Sequence, residues 1–324
     1  MTWPVSAPEN RAAVPADGAL QARTGRDGSF SLWSERFQEG FHSGRGALRE
    51  ARETFLAPSQ LQRFPAGTRI TVLEVCVGTG SNLAMLLEAC RQQELQLDWT
   101  GLELDPRPLR LALAQPTFRD PWQPQTLQLL EQLAQRSSWH DPGHSRGRLL
   151  WGDARRTLRQ LHRERPEPLD LIWHDAFSPR RCPELWTVEF LGALTGLLRK
   201  EGRCRWISYC SAAAVREALQ RAGLQLAALA PPAGHRMPAW SGGTVASAAP
   251  LPGSILWRAL SAMEHDHLAC SAGEPYHDPG GTSTAGEILT RRQQAQEAAL
   301  AAGSRSSSGA WRRRWGLGRS AEAR

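Results

Sequence analysis

Between Ile70 and Ser247, short apolar runs alternate with stretches in which leucines return every three or four positions. Ile70-Thr-Val-Leu-Glu-Val-Cys76 is a β-branched, apolar run that leads into Gly78-Thr79-Gly80. Leu83, Leu86, Leu87 and Cys90 then recur at helical spacing. Trp99-Thr-Gly-Leu-Glu103 predicts a second strand, and Asp105-Pro106 opens a helix through Leu109, Leu111 and Leu113. A proline at a helix start removes only an N–H that has no intrahelical partner. An amphipathic segment with Leu127, Leu129, Leu130 and Leu133 follows, then a loop rich in Ser, His, Pro and Gly. Residues 148–153 predict strand three and 154–162 a helix; 169–174 predict strand four and 183–198 a helix. Residues 203–209 predict strand five, 212–222 a helix, 224–230 strand six and 243–247 strand seven.

Strands that alternate with helices imply crossover units and a mostly parallel sheet. The expected fold is α/β: a Rossmann-like, mostly parallel seven-stranded sheet with helices on both faces. Right-handed crossovers bring the C-terminal ends of the parallel strands to one edge, where ligands bind. Glu74 and the Gly78-Thr79-Gly80 turn, Glu103, Gly152-Asp153 and Asp175 therefore converge on one crevice. Glycine lets backbone approach a ligand closely. A carboxylate that ends the second strand can accept both hydroxyls of a ribose, and Asp153 can hold an adenine amino group or shape its pocket. The dinucleotide fingerprint needs a third glycine, and Leu83 stands there. Acid-x-x-x-Gly-x-Gly instead suits S-adenosylmethionine, whose ammonium and carboxylate need a carboxylate and backbone amides.

The fourth strand runs into DLIWHDAFSPRRCPELW, residues 170–186. A carboxylate ends the apolar run, and proline, phenylalanine and two arginines surround it. Residues 1–28 are rich in Pro, Ala and Gly and read as loose; 29–250 read as the domain. Residues 251–302 read as an extension with a helix, and 303–324 as a disordered basic tail.

Composition adds constraints. The net charge is +7, and residues 303–324 hold six arginines against one glutamate, so the basic character is concentrated in the tail. A basic tail with Trp311 and Trp315 can meet RNA through phosphates and stacking. The six cysteines form no CxxC pair and read as scattered thiols. His265-Asp266-His267 with Cys270 has no second ligand pair, so no metal is expected. No apolar run of spanning length and no secretory signal is evident, so no membrane contact and a cytoplasmic location are expected.

At this point the residues resemble the methyltransferase domain of the MnmC-like tRNA (5-methylaminomethyl-2-thiouridylate) methyltransferases, in order over most of residues 28–247. Asp27-Gly-Ser-Phe-Ser-Leu and Gly40-Phe41-His42-Ser43 are similar to the family's opening segment. Gly46-Ala-Leu-Arg-Glu50-Ala-Arg52-Glu-Thr-Phe55-Leu56 is similar to its Gly-x-Leu-x-Glu-x-Arg-x-x-Phe-Leu helix. Glu74 and Gly78-Thr79-Gly80-Ser-Asn82 match its methyl-donor loop, and Gly152-Asp153 its Gly-Asp. Asp175-Ala-Phe-Ser-Pro179 followed by Pro183-Glu-Leu-Trp186 matches its most distinctive signature. Cys76, Ser81, Ala176 and Ala213 depart from the pattern, and its late basic element stands here as Gly234-His235-Arg236. No second dinucleotide loop follows residue 250, so the chain looks like a form without the family's FAD oxidoreductase domain.

The resemblance implies a class I S-adenosylmethionine-dependent methyltransferase acting on the aminomethyl nitrogen of a modified wobble uridine. It implies a donor site of Glu74, Gly78, Thr79, Gly80, Asn82, Glu103 and Asp153. Asp175 would hydrogen-bond the amine or take its proton. Phe177 would stack on or wall the base, with Pro179 shaping the loop and Phe41 as a lid. Arg180, Arg181 and Arg236 would meet phosphates of the anticodon stem-loop. A separate oxidoreductase or upstream modification enzyme would supply the aminomethyl-uridine. Two other readings use the same residues: a spermidine synthase-like aminopropyltransferase, which needs a further acidic set, and a catalytically silent RNA-binding module.

Overall fold

The computed structural model describes residues 18–164, 168–200, 204–231 and 241–317. Twelve strands occur among them: β1 (Leu20–Thr24), β2 (Phe30–Ser34), β3 (Glu39–Gly40), β4 (Arg69–Val75), β5 (Gln96–Glu103), β6 (Ser138–Asp141), β7 (Ser145–Trp151), β8 (Leu171–His174), β9 (Arg205–Ser208), β10 (Gln225–Leu229), β11 (Thr244–Ser247) and β12 (Trp257–Ala259).

The main sheet has the order β12-β10-β11-β9-β8-β4-β5-β7-β6. Its inner seven strands are those read from the sequence, and β7, β5, β4, β8 and β9 pair in parallel. β11 alone among the seven runs opposite to the others, antiparallel to both β9 and β10. The expected Rossmann-like α/β fold is present, widened by one antiparallel strand at each edge. Side chains alternate across the sheet. Ile70, Val72, Leu171 and Trp173 face one core with the helices Ser81–Gln92 and Pro124–Arg136. Leu73, Val75 and Ile172 face the other, with Ala154–Glu164, Val188–Thr195 and Ala213–Arg221. Strands coated on both faces read as near-continuous apolar runs, which is why the sequence exposed them.

Four sequence expectations are corrected. The Ser/His/Pro/Gly loop is a β6–β7 hairpin, with the Trp139 ring against Gly147, where a Cβ would collide with it. The single helix expected over 183–198 is a 3₁₀ turn, Pro183–Trp186, and a helix, Val188–Thr195, capped by Thr187 Oγ. Part of the segment read as loose is structured: β1 pairs along its length with β2 in a separate three-stranded antiparallel sheet. Its four exposed positions hid it from any apolar pattern.

The tail is the fourth. Ser308–Arg314 is a helix, and Trp311 is buried, donating to Met263 O at 3.0 Å and stacking on the His267 ring at 3.9 Å. Arg314 and Trp315 both bind the Asp266 carboxylate. The tail thus packs on the extension helix Ala262–Ala269, which a Ser261–Glu264 capping box starts. Residues 318–324 lie outside the described residues. No helix among those described is long and apolar enough to cross a membrane.

Candidate active site

A cavity of about 430 Å³ opens where β4, β5, β7 and β8 end, and the three-stranded sheet closes over it. Cys76, Val77 and Gly78 follow β4; Glu103, Leu104 and Asp105 follow β5; Gly152, Asp153 and Arg155 follow β7; Asp175, Ala176 and Phe177 follow β8. Phe37, Glu39, Phe41 and Glu50 complete the wall from the N-terminal side. The volume is in the range of small-molecule sites.

The loop after β4 is built for close approach. Cys76, Gly78 and Gly80 all have positive φ. A Cβ on Gly78 would stand 3.1 Å from the Phe41 ring, and one on Gly80 2.8 Å from Leu109. Gly78 N donates to Glu103 Oε2 at 2.9 Å, and Leu104 N and Asp105 N donate to its Oε1. Burial pushes the Glu103 carboxyl up, with these three amides pulling against it. An ionised carboxylate has about four acceptor sites, so three amides leave one acceptor position for a hydroxyl.

Asp153 lies on the wall beside Gly152, with Arg155 N and the Arg155 guanidinium on its carboxylate. Burial acts to raise its pKa, but the Arg155 bonds outweigh it and the group ends below its ordinary value. Arg155 also holds Asp278 and the Ser283 carbonyl, each at 2.8 Å, so the extension supports this wall.

Asp175 accepts from Asn82 Nδ2 at 2.8 Å. Burial, then the charge of Glu50, push its carboxyl well above the usual range, and the Asn82 bond opposes them. The carbonyls that follow are already engaged: Tyr209 Oη donates to Ala176 O and Trp186 Nε1 to Phe177 O, both at 2.8 Å. Phe177 stacks on Phe37 at 4.4 Å and meets Phe41 edge-on at 5.1 Å.

The sequence-derived residues therefore divide. Gly78, Glu103, Asp153, Asp175, Phe177 and Phe41 share the wall. Glu74, Thr79, Gly80 and Asn82 stand behind it. Glu74 is fully buried with Trp99 Nε1 on one oxygen at 3.0 Å and no hydrogen-bond partner for Oε1. Burial raises its pKa to about 8. Pro179 is buried, Arg180 and Arg181 are exposed and off the wall, and Arg236 lies outside the described residues. The charge an acceptor meets is thus not set by those arginines. Glu39, Glu50 and Glu184 line the cavity instead. Glu39 accepts from Ser178 N and Oγ, which holds the Asp175 loop to β3.

Sequence reasoning missed Phe37, Glu39, Tyr209 and Arg155. Tyr209 was visible as the end of a strand; the other three carry no local signal. His174 fills the core as a neutral ring: it stacks on Trp186 at 4.2 Å, and burial lowers its pKa to about 3. Among the described residues no cluster of three or more His, Cys, Asp or Glu forms a metal site.

The cavity fits an adenosyl sulfonium: a glycine cradle that side chains would fill, an acid at the end of β5, and acidic walls for positive charge. A family profile described as S-adenosyl-L-methionine-dependent methyltransferase matches residues 116–242. The chain is 30% identical over 236 residues to the tRNA 5-methylaminomethyl-2-thiouridine biosynthesis bifunctional protein MnmC of Delftia acidovorans, covering 64% of this chain and 34% of that protein. It is 32% identical over 210 residues to the MnmC of Paraburkholderia phytofirmans, covering 60% and 30%. An uncharacterised protein of Methanocaldococcus jannaschii is 29% identical over 202 residues, covering 61% and 52%. The chain spans about half the length of the last of these and about a third of the two MnmC proteins. The crystal structure of MNMC2 from Aquifex aeolicus superposes with a TM-score of 0.70 at 25% identity, covering 88% of this chain and 86% of that one.

Proposed function

We propose that this chain, which carries an MnmC-like S-adenosylmethionine-dependent methyltransferase domain, methylates the aminomethyl nitrogen of a modified wobble uridine in tRNA. The observation that carries the reading is Asp175. It stands on the wall next to the glycine loop, its Oδ2 held by Asn82 at 2.8 Å.

When bound, the donor supplies an electrophilic methyl group on a sulfonium. The chain's own residues must then orient a neutral amine behind that methyl and keep water out. Asp175 accepts a hydrogen bond or a proton from the amine, which leaves the nitrogen lone pair free to attack. Its environment disfavours charge, so an incoming ammonium both relieves that penalty and is drawn to the carboxylate. Phe37, Phe41 and Phe177 give the base an aromatic wall and shield the reacting atoms. Orientation of this kind is worth about 7–11 kcal/mol in well-aligned pairs.

The wider setting follows from this reading. The partner is a tRNA anticodon stem-loop with its wobble base turned out of the stack, and Arg180, Arg181 and Arg236 meet its phosphates. The location is cytoplasmic, and a separate oxidoreductase or modification enzyme supplies the aminomethyl group.

The direct test incubates the purified protein with S-adenosylmethionine and tRNA carrying 5-aminomethyl-uridine, then digests the RNA for nucleoside mass spectrometry. The expected product is 5-methylaminomethyl-uridine. Its absence, with aminopropylation of putrescine from the decarboxylated donor, would replace this reading by the polyamine one. Absence of both, and of any heat on donor titration, would favour a silent RNA-binding module.

A further inference from the structure

The Gly46–Leu56 segment has a fold role but no assigned chemistry, although it delivers a carboxylate to the cavity. The helix Ala47–Glu50 begins at Gly46, whose φ of 110° and lack of a side chain let it lie against the Asp27 carboxylate. Asp27 accepts from Arg49 N at 2.9 Å, and Ser29 Oγ accepts from Ala47 N at 2.7 Å, so the helix start is pinned. The helix changes directly after Glu50 into a π-helical turn, Ala51–Leu56. Turns of this type recur at functional sites. Glu50 is 6% exposed, yet it lines the cavity, with Ser43 N on its Oε2 at 3.1 Å. Asp175 lines the same cavity from the end of β8.

Resting on the methyltransferase reading above, we propose that Glu50 and Asp175 form a carboxylate pair that holds the acceptor as its ammonium ion and takes one of its protons. An N–H bond of the ammonium breaks and an O–H bond forms on the pair, which keeps the electron pair on nitrogen. The nitrogen then bonds the methyl carbon as the carbon–sulfur bond breaks, and the product leaves as a secondary ammonium. The pair finally returns its proton to water. Two like charges in one buried site favour sharing a single proton, so the second carboxylate makes the first a base of useful strength.

Other titratable groups face the pair. Glu39, Tyr209 and Cys76 lie on the same wall, Glu74 behind Asp175, and His42 and Asp27 on the Glu50 side. All stay in place in the variants that test the pair.

The experiment compares wild type, Glu50→Gln and Glu50→Asp by the pH dependence of kcat/KM on aminomethyl-uridine tRNA. Donor affinity is measured by calorimetry and folding by thermal melt. Glu50→Gln removes a like charge, so the acid limb set by Asp175 should move down by about one pH unit, with kcat reduced and donor affinity unchanged. Glu50→Asp keeps the charge but shortens the reach, so its limb should stay at the wild-type position while kcat falls. An unmoved limb in folded Glu50→Gln, or wild-type kcat in Glu50→Asp, overturns the proposal. If the wild type leaves this RNA unmethylated, the acceptor assignment is the error. A ¹³C-carboxyl titration of Asp175, which needs no RNA, then decides the pair: its midpoint must fall in Glu50→Gln.

Discussion

Arg155 Nη1 lies 2.8 Å from Asp278 Oδ2, while the same guanidinium grips Asp153 at 2.7 Å. One side chain thus joins the cavity wall to a segment more than a hundred residues downstream. Asp278 is 1% exposed and anchored by Ser283 N and Glu189, so it is a fixed strut.

Asp278→Ala leaves a part-buried guanidinium with one carboxylate fewer. The expected cost is about 3 kcal/mol of stability and a weaker donor complex, because the Arg155 that holds Asp153 loses its own anchor. Asp278→Asn should recover part of both. Calorimetric donor titration beside a thermal melt checks this; unchanged donor affinity in Asp278→Ala would show that the strut has no bearing on the site.

Asp175→Asn keeps the size of the side chain and removes its basicity. Turnover should fall by about 10²–10⁴-fold, the usual contribution of a positioned acid–base group, with donor binding retained. Asn82→Ala removes the bond that orients Asp175, and its loss should be smaller. Single-turnover methyl transfer distinguishes the two; full activity in Asp175→Asn would remove the carboxylate from the reaction.

Glu74 makes stability pH-dependent. Its pKa is about 8 in the fold against an ordinary value of 4.5, because burial penalises the charge. The folded chain therefore binds this proton more tightly than the unfolded one. The contribution is fully present below the unfolded pKa and is lost as pH rises through the folded one. Over that window the loss amounts to a few kcal/mol at about 1.4 kcal/mol per unit. Glu74→Gln should flatten the fall in melting temperature between pH 5 and 8, roughly the window bounded by the two values. A pH profile identical to wild type would mean that Glu74 is not the titrating group.

Trp311→Ala should cost about 3–5 kcal/mol and loosen the extension, since its ring stacks on His267 and its N–H is bonded. Deleting residues 303–324 should act the same way, so lost RNA binding in that truncation would not by itself implicate phosphate contacts. Arg312→Ala with Arg313→Ala isolates charge, as both are exposed. If they meet phosphates, the salt slope of tRNA affinity should drop by about 1 for each; an unchanged slope in this folded variant would exclude them.

The chain's own order of residues determined the sheet, because strands buried on both faces must be written as apolar runs separated by helical periods. It also determined that Gly78, Glu103, Asp153 and Asp175 would share an edge, since parallel crossovers leave that outcome no freedom. Tertiary structure alone decided the rest. Glu74 and Asp175 both sit at strand ends, yet one is sealed behind the wall and the other stands on it, because the first is the last but one residue of β4 and points into the core. Glu39, Glu50 and Phe37 reach the cavity from a small sheet and a one-turn helix too short to carry a periodic signature. Arg180 and Arg181, two residues of the most suggestive stretch, were carried off the wall by the turn that holds Pro179 inside. Periodicity reports which face of an element is buried; which buried acid meets a ligand depends on what other elements pack over it.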